Sequence, residues 1–536
     1  MHQILVIAWR EITRLRKRFG GGASPIAVLL LLAALGLSAF ALRNNVSLGN
    51  GLYRVAVSGD VPSIQDSRFS VVATDPAQGK ALLEGHAVDV WVDGAQVHSR
   101  GDDRSLFAVK ALKQDMEALE LARIGASYPD KAAFPLRVGI NYLGPQTGQG
   151  TAPPPKPEEI IIPSLTPPPA PFTQVLIGML YIIPITFISI FFTSSFMDEK
   201  VNRRLSILLS APITPFQIIL GKMLPYATFA LGATALIAML THANVPLALA
   251  IFAPTILFIF AIYLMVPLLY RTFKDTTFIA MLVTTLTTAY LVFPAMFTNT
   301  NDLAYISPLT LAVKMYRNEP FGWREYLFPS LPMAAIFGLA MFAGTRMLNE
   351  EYLIGYKPIT RKITDAIYLM MAHIPTYLSV PLWSLLVIPG VYMAQVVFLA
   401  FATNLPVRVM LGATLVGSAL VEEVVKSIGI VVLAEHGKVR SIRDLLVLAF
   451  LSALAFLVGE KLLLLVSLSV VSDAPVAGAL FGAGIFLLIP LFAHFIFTTT
   501  VTFLRTKMRL PYTLALAVGT LAHFFYDWAV MQGWLR

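Results

Sequence analysis

Seven ionisable side chains stand in the C-terminal part of this chain, within stretches that otherwise carry almost no charge. They are Glu422, Glu423 and Lys426 in "VEEVVKSIGI", Glu460, His494, and His523 with Asp527 in "HFFYD". An ionisable group inside a membrane span costs a few kcal/mol or more, so each needs a partner or a task. Glu423 and Lys426, three apart on one helical face, are expected to pair, which makes Lys426 a structural partner. Glu422 is turned about 100° away and is left to face a cavity. His523 and Asp527, four apart, share a face, so the carboxylate orients the imidazole or joins it towards a substrate. Counted at 1.5 Å per residue from the basic ends of their spans, Glu422, Glu460, His494 and His523 lie roughly 17 to 23 Å deep, in one layer near the midplane.

Such a layer could split an amide. Peptide hydrolysis needs an activated water, a proton donor for the leaving amine and stabilisation of an oxyanion, and two neighbouring carboxylates with imidazoles supply those parts. Glu422, Glu460, His494 and His523 also make an acceptable zinc ligand set. Because no HExxH pattern and no cysteine accompanies them, metal-free glutamate catalysis is the expectation and zinc the alternative. The same residue types also line proton-coupled transport paths or merely hold helices together.

The elements that must position these groups are membrane helices. Hydrophobic residues make up 57% of the 536, charged residues only 13%, and mean hydropathy is +0.72. Continuous apolar runs of about 20 residues, rather than alternating ones, predict an all-α polytopic membrane protein with about eleven transmembrane helices. The net charge of +9 gathers beside the spans, which orients them in the plasma membrane and makes nucleic acid an improbable partner. Absence of cysteine excludes thiol nucleophiles, cysteine zinc sites and disulfides.

Spans are expected at 24–42, 173–195, 224–242, 246–269, 276–296 and 327–345, then at 381–403, 409–433, 445–469, 476–503 and 511–531. The apolar run 366–407 is read as one span plus an interfacial segment. Basic clusters (Lys200, Arg203 and Arg204; Arg271 and Lys274; Arg346, Lys357, Arg361 and Lys362; Lys438, Arg440 and Arg443; Arg505, Lys507 and Arg509) mark the cytoplasmic loops, leaving the N-terminus cytoplasmic and the C-terminus extracytoplasmic. The segment "MHQILVIAWREITRLRKRFGGG" reads as a basic interfacial helix. Residues 44–171 form a small extracytoplasmic α/β domain, with strands in "YRVAVSGD", "FSVVATD" and a hairpin turning at Asp93-Gly94, a helix over 104–124 and a proline-rich tether. His242, Asp275, His373 and the six tryptophans are expected at span borders.

Two resemblances divide the chain. In "SFMDEKVNRRLSILLSAPITPFQIILGKMLPY" the order Glu199, Leu208, Leu209, Pro212, Gly221, Lys222 resembles the permease subunits of type-2 ABC exporters, including the sodium-exporter-like group, over residues 1–347. That resemblance implies a cytoplasmic loop that contacts an ATPase, with Glu199, Arg204, Leu208, Leu209, Pro212 and Lys222 as the coupling surface. No G-x-x-x-x-G-K-[ST] loop occurs, so the ATP-binding subunit is a separate partner and a six-span half is expected to form a homodimer or pair.

The ordered set "EEVVK", "FLVGE", His494 and "HFFYD" resembles the PrsW-type intramembrane proteases of the CAAX-protease and bacteriocin-immunity superfamily, over 381–536 behind a linker at 348–380. Glu460 and Asp527 stand where the CAAX branch carries His and Asn, so the PrsW branch is favoured. The resemblance implies catalytic Glu422, Glu423, Glu460, His494, His523 and Asp527, with Glu422 and Glu460 activating water, His523 with Asp527 binding the oxyanion, and His494 open to either role. The combined expectation is an exporter permease fused to an endopeptidase acting on membrane-associated peptides, with a non-catalytic peptide-binding immunity or sensor module as the alternative.

Overall fold

In a computed structural model the described residues are 2–19, 51–59, 63–94, 96–127, 172–298, 302–355, 357–403, 405–471 and 487–534. The span expected at 24–42, the proline-rich tether and the start of the tenth span at 476–486 lie outside them. The chain separates into two compact units, residues 46–174 with 296–304 and the remainder.

The smaller unit carries strands β1 (Tyr53–Ser58), β2 (Phe69–Ala73), β3 (Val90–Asp93) and β4 (Gln96–Ser99) in the order β2-β1-β3-β4. β1 is parallel to β2 and β3, and β4 returns antiparallel to β3 through the Asp93-Gly94 turn, where Gly94 has φ +55. Two helices cover the sheet: α2 (Pro76–Glu84), which the sequence reading did not pick out, and α3 (Asp103–Ser127). Asp75 caps α2 by accepting from the Gln78 amide, with Pro76 at the first helical position. Trp91, expected at a membrane border, instead packs in this sheet, where its indole N–H donates to Ser58 Oγ at 2.8 Å. Both faces of β3 are covered, Val90 and Val92 on one and Trp91 on the other, so the indole lies in a protein core.

Asp89 accepts from the Arg54 amide at 2.9 Å and from buried Arg104 at 3.1 Å. Burial pushes the Arg104 guanidinium down, and Asp89 opposes that shift. Asp89→Leu leaves that guanidinium buried without its carboxylate and is expected to destabilise the unit by about 3–5 kcal/mol. Earlier cleavage of this region by trypsin in the full chain is the readout, and unchanged cleavage would remove the pair from the account.

The larger unit is helical. After α1 (His2–Phe19) come α4 (Phe172–Val201), α5 (Arg204–Ser210), α6 (Pro215–Leu240), α7 (Val245–Leu269), α8 (Phe273–Ala295), α9 (Pro308–Tyr316) and α10 (Trp323–Met347). They are followed by α11 (Glu350–Ile354), α12 (Ile359–Met371), α13 (Thr376–Leu386), α14 (Ile388–Ala402), α15 (Val407–Glu435), α16 (Ile442–Val471), α17 (Leu488–Thr506) and α18 (Tyr512–Met531). Among the described residues nine helical stretches are long and apolar enough to cross a membrane. Helix α15, at 29 residues, also has the length; the charges in its middle keep it out of that set, and we read it as a further span. The 366–407 run resolves into amphipathic α12 and the single stretch Thr376–Ala402.

The expected loop at 195–226 is mostly helix. Residues 195–201 complete α4, and α6 starts at Pro215, where Thr214 and Gln217 form a reciprocal cap with bonds of 2.9 and 3.3 Å. Lys200 is accordingly not a loop residue: it is buried and donates to the carbonyls of Pro267 and Tyr270 at 2.7 and 2.8 Å, closing the C-terminal end of α7. Helices 359–531 pack in the same unit as the first half, with α14 against α8 and α10, and α16 against α10.

Candidate functional site

The first cluster sits where α1 meets α4 and α6. Gly221 makes this approach feasible, since a Cβ there would lie 2.8 Å from Ile7 Cβ. Beside it, Lys222 is enclosed and pairs with Glu11, while its ammonium lies 2.9 Å from Glu199 Oε2. Arg14 pairs with Glu199 and stands 3.5 Å from Asp198, and Ser195 donates to Glu11 at 2.8 Å. Burial pushes the Glu11 carboxyl up, but Lys222, Ser195 and Arg14 outweigh it and hold the group below the usual carboxylate range.

Two of the expected coupling residues are therefore not surface groups. Glu199 and Lys222 are buried because two acids and two bases of three helices neutralise one another there. What faces outward is the turn they support: Arg204 and Pro212 are exposed, Leu208 and Leu209 half-buried. Ile207, not picked out from the sequence, is 70% exposed, and Arg203 beside it adopts φ +55.

The second cluster is built on α15, which packs against α12, α13, α14, α16, α17 and α18. Its continuity as one helix to Glu435 ends in a Schellman turn, with Lys438 N bonded to Leu433 O at 2.9 Å and Gly437 at φ +72. Close helix approach again rests on glycines. A Cβ on Gly519 would lie 2.3 Å from Val501, one turn from His523, and one on Gly459 would lie 2.7 Å from Ile388, beside Glu460. Trp383, expected at the membrane border, is half-buried and donates to Val425 O at 3.1 Å, tying α13 to α15.

Lys426 is the hub. Its enclosed ammonium lies 2.6 Å from Glu423 Oε1, 3.8 Å from Glu422 Oε2 and 2.9 Å from His494 Nδ1. An ammonium only donates, so His494 Nδ1 accepts and its proton sits on Nε2, 3.7 Å from Glu460 Oε2. A carboxylate only accepts, so His523 Nδ1–H donates to Glu423 at 2.9 Å. His523 Nε2 is left 3.8 Å from Glu422 Oε2 and 3.5 Å from Asp527 Oδ2. The two imidazoles meet edge to face at 5.2 Å, with Phe456 against one and Phe497 stacked on the other.

All seven ionisable residues thus meet in one place. Glu423, expected among the catalytic groups, is fully enclosed between Lys426 and His523. Glu460 is 40% exposed and Asp527 29%, so the cluster opens on their side. The sequence reading missed Gln395, whose amide donates to Glu422 Oε1 at 3.1 Å, and Ser418, which donates to the same atom at 3.3 Å. A lone amide in the apolar run 381–403 is itself the signal that could have found Gln395. It also missed Ser452, which ties α16 to the Lys426 carbonyl at 2.9 Å.

Ligand atoms of Glu422, His494 and His523 lie within 4.8 Å of one another, close enough to consider a divalent metal; Glu460 is not in that group. The donor set fits zinc poorly, because the Lys426 ammonium already bonds one imidazole and faces the carboxylate that a dication would have to neutralise.

Removing one partner of a buried charge network leaves the others uncompensated. Lys222→Ala is expected to cost about 3–5 kcal/mol, read as thermal unfolding of the purified protein, while the charge-neutral pair Glu11→Gln with Lys222→Met, which leaves Arg14 on Glu199, costs less. Equal losses would dissolve the network argument.

A family model described as ABC-2 family transporter protein matches residues 78–347, just over half of the 536-residue chain. No curated protein matches the chain. No solved structure matches it.

Proposed function

The chain belongs to the ABC-2 transporter family, and from that premise we propose a permease whose second half is an intramembrane endopeptidase acting on membrane-associated peptides. Permease domains of this family dimerise and work with a separate ATP-binding subunit. The exposed turn around Arg204, Ile207 and Pro212 is the surface we assign to that subunit. The observation that carries the proteolytic reading is the meeting of Glu422, His494 and His523 within 4.8 Å, on three helices of membrane-spanning length.

In this reading a water lies between Glu422 Oε2 and His523 Nε2. Gln395 and Ser418 hold the other oxygen of Glu422 and so aim the free one. Glu422 takes one proton as the water oxygen bonds to the peptide carbonyl carbon, and His494 Nε2–H donates to the oxyanion. This differs from the assignment implied by the PrsW resemblance, because here His523 Nδ1–H is committed to Glu423. Glu422 then returns its proton to the amide nitrogen as the C–N bond breaks, giving a carboxylic acid and an amine. Glu460 and Asp527 flank the open side, where the substrate backbone would enter. No step needs a metal.

The test is reconstitution in vesicles with membrane-spanning and amphipathic peptides, with new termini sought by mass spectrometry. Glu422→Gln is expected to lower cleavage about 100- to 10,000-fold while leaving ATP-driven transport with the partner subunit unchanged. Peptides retained intact by the wild-type protein would instead establish the binding-module alternative. Cleavage is further expected to survive chelators, with less than one zinc per chain; stoichiometric zinc lost together with activity would replace the glutamate mechanism by a metal one.

A further inference from the structure

Four span ends meet on the side marked by basic turns: the end of α15 at Glu435, the start of α16 at Ile442, the end of α17 at Thr506 and the start of α18 at Tyr512. Between them lies a cavity of about 340 Å³. Its walls are chemically divided. Ala434, Val439 and Leu445 form the apolar part, and Arg505, Lys507 and Arg509 the cationic part.

The three cations are not equivalent. Arg505 is committed to Glu435 at 2.6 Å. Lys507 reaches only a backbone carbonyl, that of Arg440 at 3.0 Å, and among the described residues no carboxylate pairs with it or with Arg509. Arg509 has φ +57, a left-handed backbone that favours glycine, yet an arginine stands there with its side chain at the cavity. Positive-inside orientation accounts for basic residues on a loop; it does not account for a cavity that gathers two uncompensated cations against an apolar wall.

A second feature runs from the same place. Ile442, Leu446, Phe450, Leu454, Val458 and Leu462 repeat every four residues along α16, and all are exposed. The track starts at Ile442, one turn before Leu445 of the cavity, and winds about 40° around α16 at each step, a slanted row and not a single face.

We propose that this cavity binds the phosphate of an anionic phospholipid from the adjoining leaflet, with Lys507 and Arg509 on the phosphate and an acyl chain along the α16 track. A free phosphate would satisfy the cations alone; the apolar wall and the continuous track favour the lipid.

Native mass spectrometry of the full chain, delipidated and then exposed to phosphatidylglycerol, phosphatidylcholine or inorganic phosphate, tests it. Phosphatidylglycerol should be retained selectively, and Lys507→Gln with Arg509→Gln should weaken retention about thirtyfold, taking about fivefold per basic residue. Lys438→Gln with Arg443→Gln, basic positions on the same side but off the cavity wall, serves as the charge-matched control and should change retention little. Equal retention of phosphatidylcholine, or equal loss in both double variants, would overturn the site. Inorganic phosphate competing as well as the lipid would make it a phosphate site and overturn the lipid assignment. Thermal unfolding of each variant identifies any loss that comes from misfolding, and in that case the single variant Arg509→Gln, expected to lose about fivefold, decides.

Discussion

A charge withdrawn from water into a membrane protein must be matched by another charge or by hydrogen bonds, and this constraint organises both halves of the chain. Lys222 and Lys426 are both fully enclosed. Each is surrounded by acids from its own helix or its neighbours, and each therefore fixes which helices are adjacent. In the first half the matching acids come from α1 and α4. In the second they come from α15 itself, and the remaining capacity of the ammonium goes to His494 on α17.

Small residues let those bonds form. Gly221, Gly459 and Gly519 lie at crossings where a Cβ would meet a neighbouring side chain. Lipid supplies no hydrophobic drive between helices, so close van der Waals contact and interhelical polar bonds carry the association. The charges choose the partner helices and the glycines set their separation.

The two clusters differ in what they leave unused. Around Lys222 each acid is spent on a base or a hydroxyl, and the result is a brace beneath an exposed turn. Around Lys426 the pairing is looser: His523 Nε2 stands 3.8 Å from Glu422 Oε2 and His494 Nε2 3.7 Å from Glu460 Oε2, beyond hydrogen-bond reach. Two clusters made from the same residue types thus differ in how completely their polar atoms are paired.

Composition and period alone determined that the chain is a helical membrane protein with a small α/β unit, because span length and strand alternation are local properties. The shared depth of Glu422, Glu460, His494 and His523 was also legible, since counting along a helix measures depth. Which groups pair was legible only within one helix, as for Glu423 with Lys426. Contacts between helices were not, because the rotation of each helix about its axis is set by packing: the Lys426 bond to His494, the Glu423 bond to His523 and the Gln395 bond to Glu422 all cross helices. The same reason hid Glu199 and Lys222, whose motif spacing reads as a surface loop until α1, distant in sequence, closes over them.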